Sequence, residues 1–134
     1  MSRASGRRPA CVLDASAVLA LLQEEPGSQA VEEWLPGAAI STVNLSEVAG
    51  KLLELGMPER EAAEVVQALG LDVVPFHEDL AWRAAALKTL TKASGLSLGD
   101  RACLATGVSL DRPVLTADRA WTKIDLPVRI VCVR

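Results

Sequence analysis

The sequence predicts one α/β domain, an α/β/α sandwich around a mainly parallel sheet of roughly five strands. Three observations lead there. The chain has 134 residues, a length that fits a single domain. Half of its residues are hydrophobic, enough to bury a core without disulfide staples. Short apolar runs of strand length alternate with segments of helical periodicity, and that alternation places parallel strands between helices on both faces.

Residues 1–8, with Arg3, Arg7 and Arg8, read as a flexible basic arm ahead of a domain spanning 9–134. Ala10–Leu13 is a short buried strand. Ala15–Gln23 is a helix, stopped by Pro26 and Gly27. Ser28–Leu35 is a second helix with Ser28 as its N-cap. Ala38–Ile40 is the next strand. Thr42–Leu55 is helical because Leu45, Val48, Ala49 and Leu52 recur at helical spacing. Gly56 closes that helix and Pro58 opens another, which carries Ala62, Val65, Val66 and Leu69 on one face and ends at Gly70.

Leu71–Phe76 is a strand near a sheet edge, since Pro75 lacks an amide donor. Glu78–Lys92 is a long helix with Leu80, Ala84 and Leu87 aligned. Gly99–Thr106 is the last helix, and Pro113–Leu115 and Val128–Val133 complete the sheet. In such sheets ligands bind outside the carboxyl ends of the strands, where the strand order reverses.

Composition narrows the function classes. No uninterrupted apolar run approaches the ~18 residues of a membrane span. Cys11-Val12-Leu13 is too short for the apolar core of a secretory signal, so the expected location is the cytoplasm. The cysteines Cys11, Cys103 and Cys132 form no C-x-x-C pair, and His77 is the one histidine. A zinc site needs more ligands at closer spacing, and buried reduced thiols are expected instead. His77 reads as a loop histidine. The net charge of −3 is unlike that of a protein that simply coats nucleic acid.

The acids carry the chemistry. Asp14 directly follows the first strand, and Asp118 comes just after Val114-Leu115-Thr116. Both fall at the crevice end of the sheet. Asp100 shares a helix face with Cys103, Leu104 and Gly107, so its carboxylate points toward the sheet. Glu47 lies opposite Leu45, Val48 and Leu52, in a stripe with Asn44 and Lys51. Periodicity leaves Glu47 exposed, and it joins a site only where that stripe overlooks the crevice. Taken singly, Asp14, Asp100 and Asp118 read as helix caps and Glu47 as a surface acid. Gathered at one crevice, they repel one another and invite a hard divalent cation, Mg²⁺ or Mn²⁺.

Four segments together resemble the PIN-domain family, specifically its VapC-type toxins. They are Val12-Leu13-Asp14-Ala15-Ser16-Ala17, Ser41-Thr42-Val43-Asn44-Leu45-Ser46-Glu47, Leu96 to Ala105 around Asp100, and Val114-Leu115-Thr116-Ala117-Asp118. The resemblance implies a Mg²⁺- or Mn²⁺-dependent endoribonuclease whose catalytic and metal-binding acids are Asp14, Glu47, Asp100 and Asp118. It implies that Ser16, Asn44 and Thr116 orient carboxylates or water. It further implies a homodimer and a cognate antitoxin that lays a segment into the catalytic groove.

Arg101 and Arg119 adjoin two of the acids and are candidates for RNA phosphate contacts, against a reading as solvated surface arginines. With no Tyr and one Phe, stacking on aromatic platforms is not the main RNA contact. Trp34 and Trp82 are expected in packing, and Trp121, near Asp118, stays open. Two other classes compete. A phosphoryl-handling signalling domain would need a second acid beside Asp14, and Ser16 stands at the position a phosphatase would use. A catalytically silent binding module of the same fold would have lost an acid, and none is lost.

Overall fold

The computed structural model describes residues 8–134, so Arg3 and Arg7 lie outside the described residues. Arg8, at the end of the expected arm, pairs with Glu33 at 2.8 Å and lies 5.1 Å from the Trp34 ring centroid.

Five strands form one sheet in the order β3-β2-β1-β4-β5. They are β1 (Val12–Leu13), β2 (Ala39–Ser41), β3 (Asp72–Val74), β4 (Val114–Thr116) and β5 (Ile130–Cys132). Every pairing is parallel, with Val12 opposite both Ala39 and Val114. The helices between them are α1 (Ala15–Leu22), α2 (Ser28–Trp34), α3 (Thr42–Glu54), α4 (Glu59–Gln67), α5 (Glu78–Leu90) and α6 (Leu98–Leu110).

The core has two halves because side chains alternate across each strand. Cys11, Leu13, Ile40 and Leu115 face one side, where Val18, Val31, Trp34, Val48 and Val66 of α1–α4 cover them. Val12, Ala39 and Val114 face the other side, under Leu80, Ala84 and Leu87 of α5 and Cys103 and Leu104 of α6. The result is the three-layer sandwich expected. Burying each leucine or valine contributes about 1.5–3 kcal/mol, which the sheet's centre exploits on both faces.

Side-chain caps set three helix starts. Asp14 Oδ1 accepts from the Ala17 amide at 2.8 Å, Ser41 Oγ from Val43 at 3.2 Å, and Ser97 Oγ from Asp100 at 3.1 Å. The expected Ser28 cap is corrected: Gly27 holds the cap position and Ser28 is the first helical residue. Gly27 takes φ +99°, and a Cβ there would stand 2.7 Å from the Val133 carbonyl oxygen. A left-handed turn pressed against the chain beyond β5 explains why the cap moved back one residue.

Trp82 is a second correction. It is 70% exposed, while Trp34 and Trp121 are buried. The buried stripe of α5 runs through Leu80, Ala84 and Leu87, and two residues on from Leu80 is about 200° around the helix. His77 is exposed and occupies the N-cap position of α5 without a side-chain bond. Cys11 and Cys103 are buried and Cys132 is half-buried, all as free thiols.

β1 sits centrally, with the chain running out through β2 and β3 and returning to β4 and β5. The order therefore reverses between β1 and β4, and the crevice lies beyond Leu13 and Thr116. No helix among the described residues is long and apolar enough to cross a membrane.

Candidate active site

A cleft of about 340 Å³ opens at this reversal, lined by Asp14, Asn44, Glu47, Lys51, Asp100 and Asp118, with Ala15, Ser16 and Leu19. All four acids singled out from the sequence line it. Each reaches it from a different segment.

Asp14 forms the floor and is 5% exposed. The Ala17 amide holds its Oδ1, the Thr116 hydroxyl donates to Oδ2 at 2.6 Å, and the Ser16 hydroxyl lies 2.8 and 2.9 Å from the two oxygens. Ser16 and Thr116 are themselves held. The Ala117 amide donates to Ser16 Oγ at 2.9 Å and the Asp118 amide to Thr116 Oγ1 at 3.0 Å. With their lone pairs taking those amides, both hydroxyl protons turn to the carboxylate. Burial nevertheless pushes the Asp14 carboxyl up from 3.8 to about 6. The bonds from Thr116, Ala17 and Ser16 pull it down, and the negative charge of Asp100 adds to the rise.

Asp118 Oδ1 accepts from the Ala120 amide at 2.9 Å and so caps a single 3-10 turn at Arg119–Lys123. Asp100 is the third residue of α6, where its Oδ2 accepts from the Ser97 amide at 3.0 Å while Ser97 Oγ accepts from the Asp100 amide. This capping box turns the carboxylate back over the helix start. The aspartates therefore act as caps and line the cleft at the same time.

Glu47 settles the question periodicity left open. Its stripe overlooks the cleft, and Asn44 Nδ2 donates to its Oε1 at 2.9 Å. The same Nδ2 donates to the Gly99 carbonyl at 3.0 Å, which buries Asn44 between α3 and α6. Asn44 Oδ1 is buried without a partner among the described residues. Lys51, one turn beyond Glu47, is the cleft's basic side chain, and its Nζ lies 3.7 Å from Glu54. The i, i+4 relation to Glu47 pointed to Lys51, yet a sequence reading gave it no role.

Each of the two candidate phosphate contacts donates to a backbone carbonyl. Arg101 is half-buried and donates to the Ala84 carbonyl at 3.0 Å, tying α6 to α5. Arg119 Nε donates to the Arg134 carbonyl at 3.1 Å.

Three of the acids act on a common point. The Cys103 thiol is raised well above its ordinary value, first by burial and then by Asp14, Asp100 and Glu47. Among the described residues, no three His, Cys, Asp or Glu side chains close into a ready-made metal cage. The anionic donors are nevertheless those of a hard cation: four carboxylates around a cleft with room for water. Mg²⁺ characteristically takes one or two carboxylates and keeps several waters, so these residues fit it. Burial and the neighbouring Asp100 both disfavour the ionised form of Asp14, a cost that a cation in the cleft would offset.

An α/β sandwich with an acidic cleft at the switch of its parallel sheet is the class that this fold and site define. The chain belongs to the PIN domain family, which matches residues 11–126.

Solved structures with the same fold include a toxin–antitoxin complex from Klebsiella pneumoniae. It is 23% identical, with 93% of this chain and 98% of that chain covered and a TM-score of 0.75. DNA-bound VapBC from Salmonella typhimurium is 17% identical, with 95% and 100% covered and a TM-score of 0.72. VapBC2 from Rickettsia felis, bound to a DNA fragment from its promoter, is 15% identical, with 92% and 98% covered and a TM-score of 0.71. Among curated proteins, none matches the sequence.

Proposed function

We propose that this protein is a Mg²⁺- or Mn²⁺-dependent endoribonuclease, the VapC-type toxin of a toxin–antitoxin pair. The observation that carries the reading is the convergence of Asp14, Glu47, Asp100 and Asp118 on one cleft at the switch point. Membership of the PIN family and likeness in fold to chains of VapBC complexes support it.

Asp14, Asp100 and Asp118 would hold the divalent ion, with Glu47 helping to bind it or positioning the attacking water. When bound, the ion supplies charge to polarise a phosphodiester and to acidify a water molecule. The protein's part is orientation. Ser16, Thr116 and the Ala17 amide fix both oxygens of Asp14, so it presents a set direction to the cleft. Asn44 fixes the Glu47 carboxylate at the ion-binding cleft. Lys51 stands at the rim, where a cation meets the phosphate backbone. Cleavage leaves 5′-phosphate and 3′-hydroxyl ends.

The partner is an antitoxin whose basic side chain enters the acidic cleft, silencing the site by complementary charge. The working form is a homodimer in the cytoplasm. Incubating the purified protein with structured RNAs tests the reading. Cleavage with Mg²⁺ that stops on chelation, and stops in Asp100→Asn, supports it. Undiminished cutting by that variant overturns it.

A further inference from the structure

We propose that Gly99 is a positioning residue for the cleft: its bare Cα makes the seat in which Asn44 holds the Glu47 carboxylate. The inference rests on the reading of Glu47 as part of the ion-binding site.

Gly99 lies in the first turn of α6, one residue before Asp100. Its backbone does not require glycine, for no left-handed φ occurs there. Glycine in a helix costs stability relative to alanine, so a helical glycine needs another reason. The helical glycines of this protein differ in what a side chain would meet. At Gly50 a Cβ would meet nothing within 4 Å. At Gly107 it would meet Val114 Cγ2 at 2.5 Å, which is close packing of α6 on the sheet. At Gly99 its three nearest atoms all belong to the Glu47 carboxyl group, with Cδ and Oε1 at 2.6 Å and Oε2 nearer still. The space a side chain would fill is taken by an acid, not by core.

A second observation fastens that acid. Asn44 Nδ2 bridges Glu47 Oε1 and the Gly99 carbonyl, so the same residue offers both the empty space and the acceptor that aims the clamp. Asn44 is buried, which sets the clamp's direction. A methyl group at position 99 would meet the far end of a flexible side chain. The carboxylate would therefore move, and the helix would stay.

Gly99→Ala tests this directly, alone and combined with Glu47→Ala. In the metal-free protein, the Asn44 side-chain amide resonances report the seat. They should shift strongly in Gly99→Ala and only slightly once Glu47 is alanine, when the Gly99 carbonyl is the partner that remains. Calorimetry with Mn²⁺ alone should show affinity reduced about 10-fold or more, with a melting temperature no lower than the parent's. Unmoved Asn44 resonances in Gly99→Ala overturn the proposal. So does a loss of Mn²⁺ affinity, or of folding, that is equal with and without the Glu47 carboxylate. Shifted resonances with parental Mn²⁺ affinity uphold the seat while removing Glu47 from the ion site.

Discussion

The Thr116 hydroxyl donates to Asp14 Oδ2 at 2.6 Å across 102 residues of sequence, joining the end of β4 to the residue after β1. Thr116 Oγ1 in turn accepts from the Asp118 amide. One hydroxyl thus couples the floor of the cleft to the turn that carries another acid.

Thr116→Val keeps the shape and removes that donor. Asp14 loses the bond that most lowers its pKa, and the Asp118 amide loses its acceptor. The expected cost is about 1–3 kcal/mol in urea unfolding. The acid limb of the cleavage pH profile should move upward. A profile superimposable on the parent's would remove Thr116 from any role at Asp14.

Asp14 sets a pH dependence of stability with a definite sign. Its folded pKa, about 6, lies above its ordinary 3.8, so the folded state holds the proton more tightly. That contribution is complete below 3.8 and is lost as pH rises through about 6. The displacement corresponds to about 3 kcal/mol. In metal-free buffer, Asp14→Asn should therefore gain stability over the parent between pH 4 and pH 7, as followed by urea melts. Mg²⁺ should stabilise the parent at neutral pH and do much less for the variant. A parent-to-variant difference that does not change with pH would count against the assignment.

Asp118 separates capping from chemistry. Asparagine caps nearly as well as aspartate, whereas alanine forfeits about 1 kcal/mol. Asp118→Asn should melt like the parent yet lose RNA cleavage, and Asp118→Ala should lose both. Equal cleavage by the parent and Asp118→Asn would leave Asp118 as a cap alone.

Gly27→Ala is expected to destabilise without touching the cleft. It forces a side chain into φ +99° and within 2.7 Å of the Val133 carbonyl. A loss of about 1–3 kcal/mol follows, read as a lowered urea midpoint. Mg²⁺ affinity should hold at the parent's value under conditions where the variant is folded.

The sheet was legible because its strands are apolar on both faces, and a run such as Cys11-Val12-Leu13 feeds both halves of the core. Asp14 and Asp118 were legible because a residue just after a parallel strand must stand at the crevice. Glu47 was not. Helical periodicity measures distance from the core, and Leu45, Val48 and Leu52 assign Glu47 to the far side. The approach of α6 to α3 is what turns that far side into a wall of the cleft, through Asn44 and Gly99. Such helix-to-helix contacts have no local signature. Trp82 misled for the opposite reason, since its size suggested packing while its phase on α5 turned it to solvent. Arg101 was placed near an acid by its number, but its guanidinium runs to the Ala84 carbonyl on the neighbouring helix.

Each of the three aspartates has one oxygen held by a backbone amide, from Ala17, Ser97 or Ala120. Their rotational freedom was therefore surrendered when the chain folded, before any ligand arrives. An ion bound there, as the proposed function requires, would meet carboxylates already aimed, and little ordering entropy would be charged against its binding. Glu47 differs, being steadied by a side chain and by empty space. The pocket thus joins a rigid part, inseparable from the turns that build the fold, to one adjustable arm through which affinity can be tuned while the architecture stays the same.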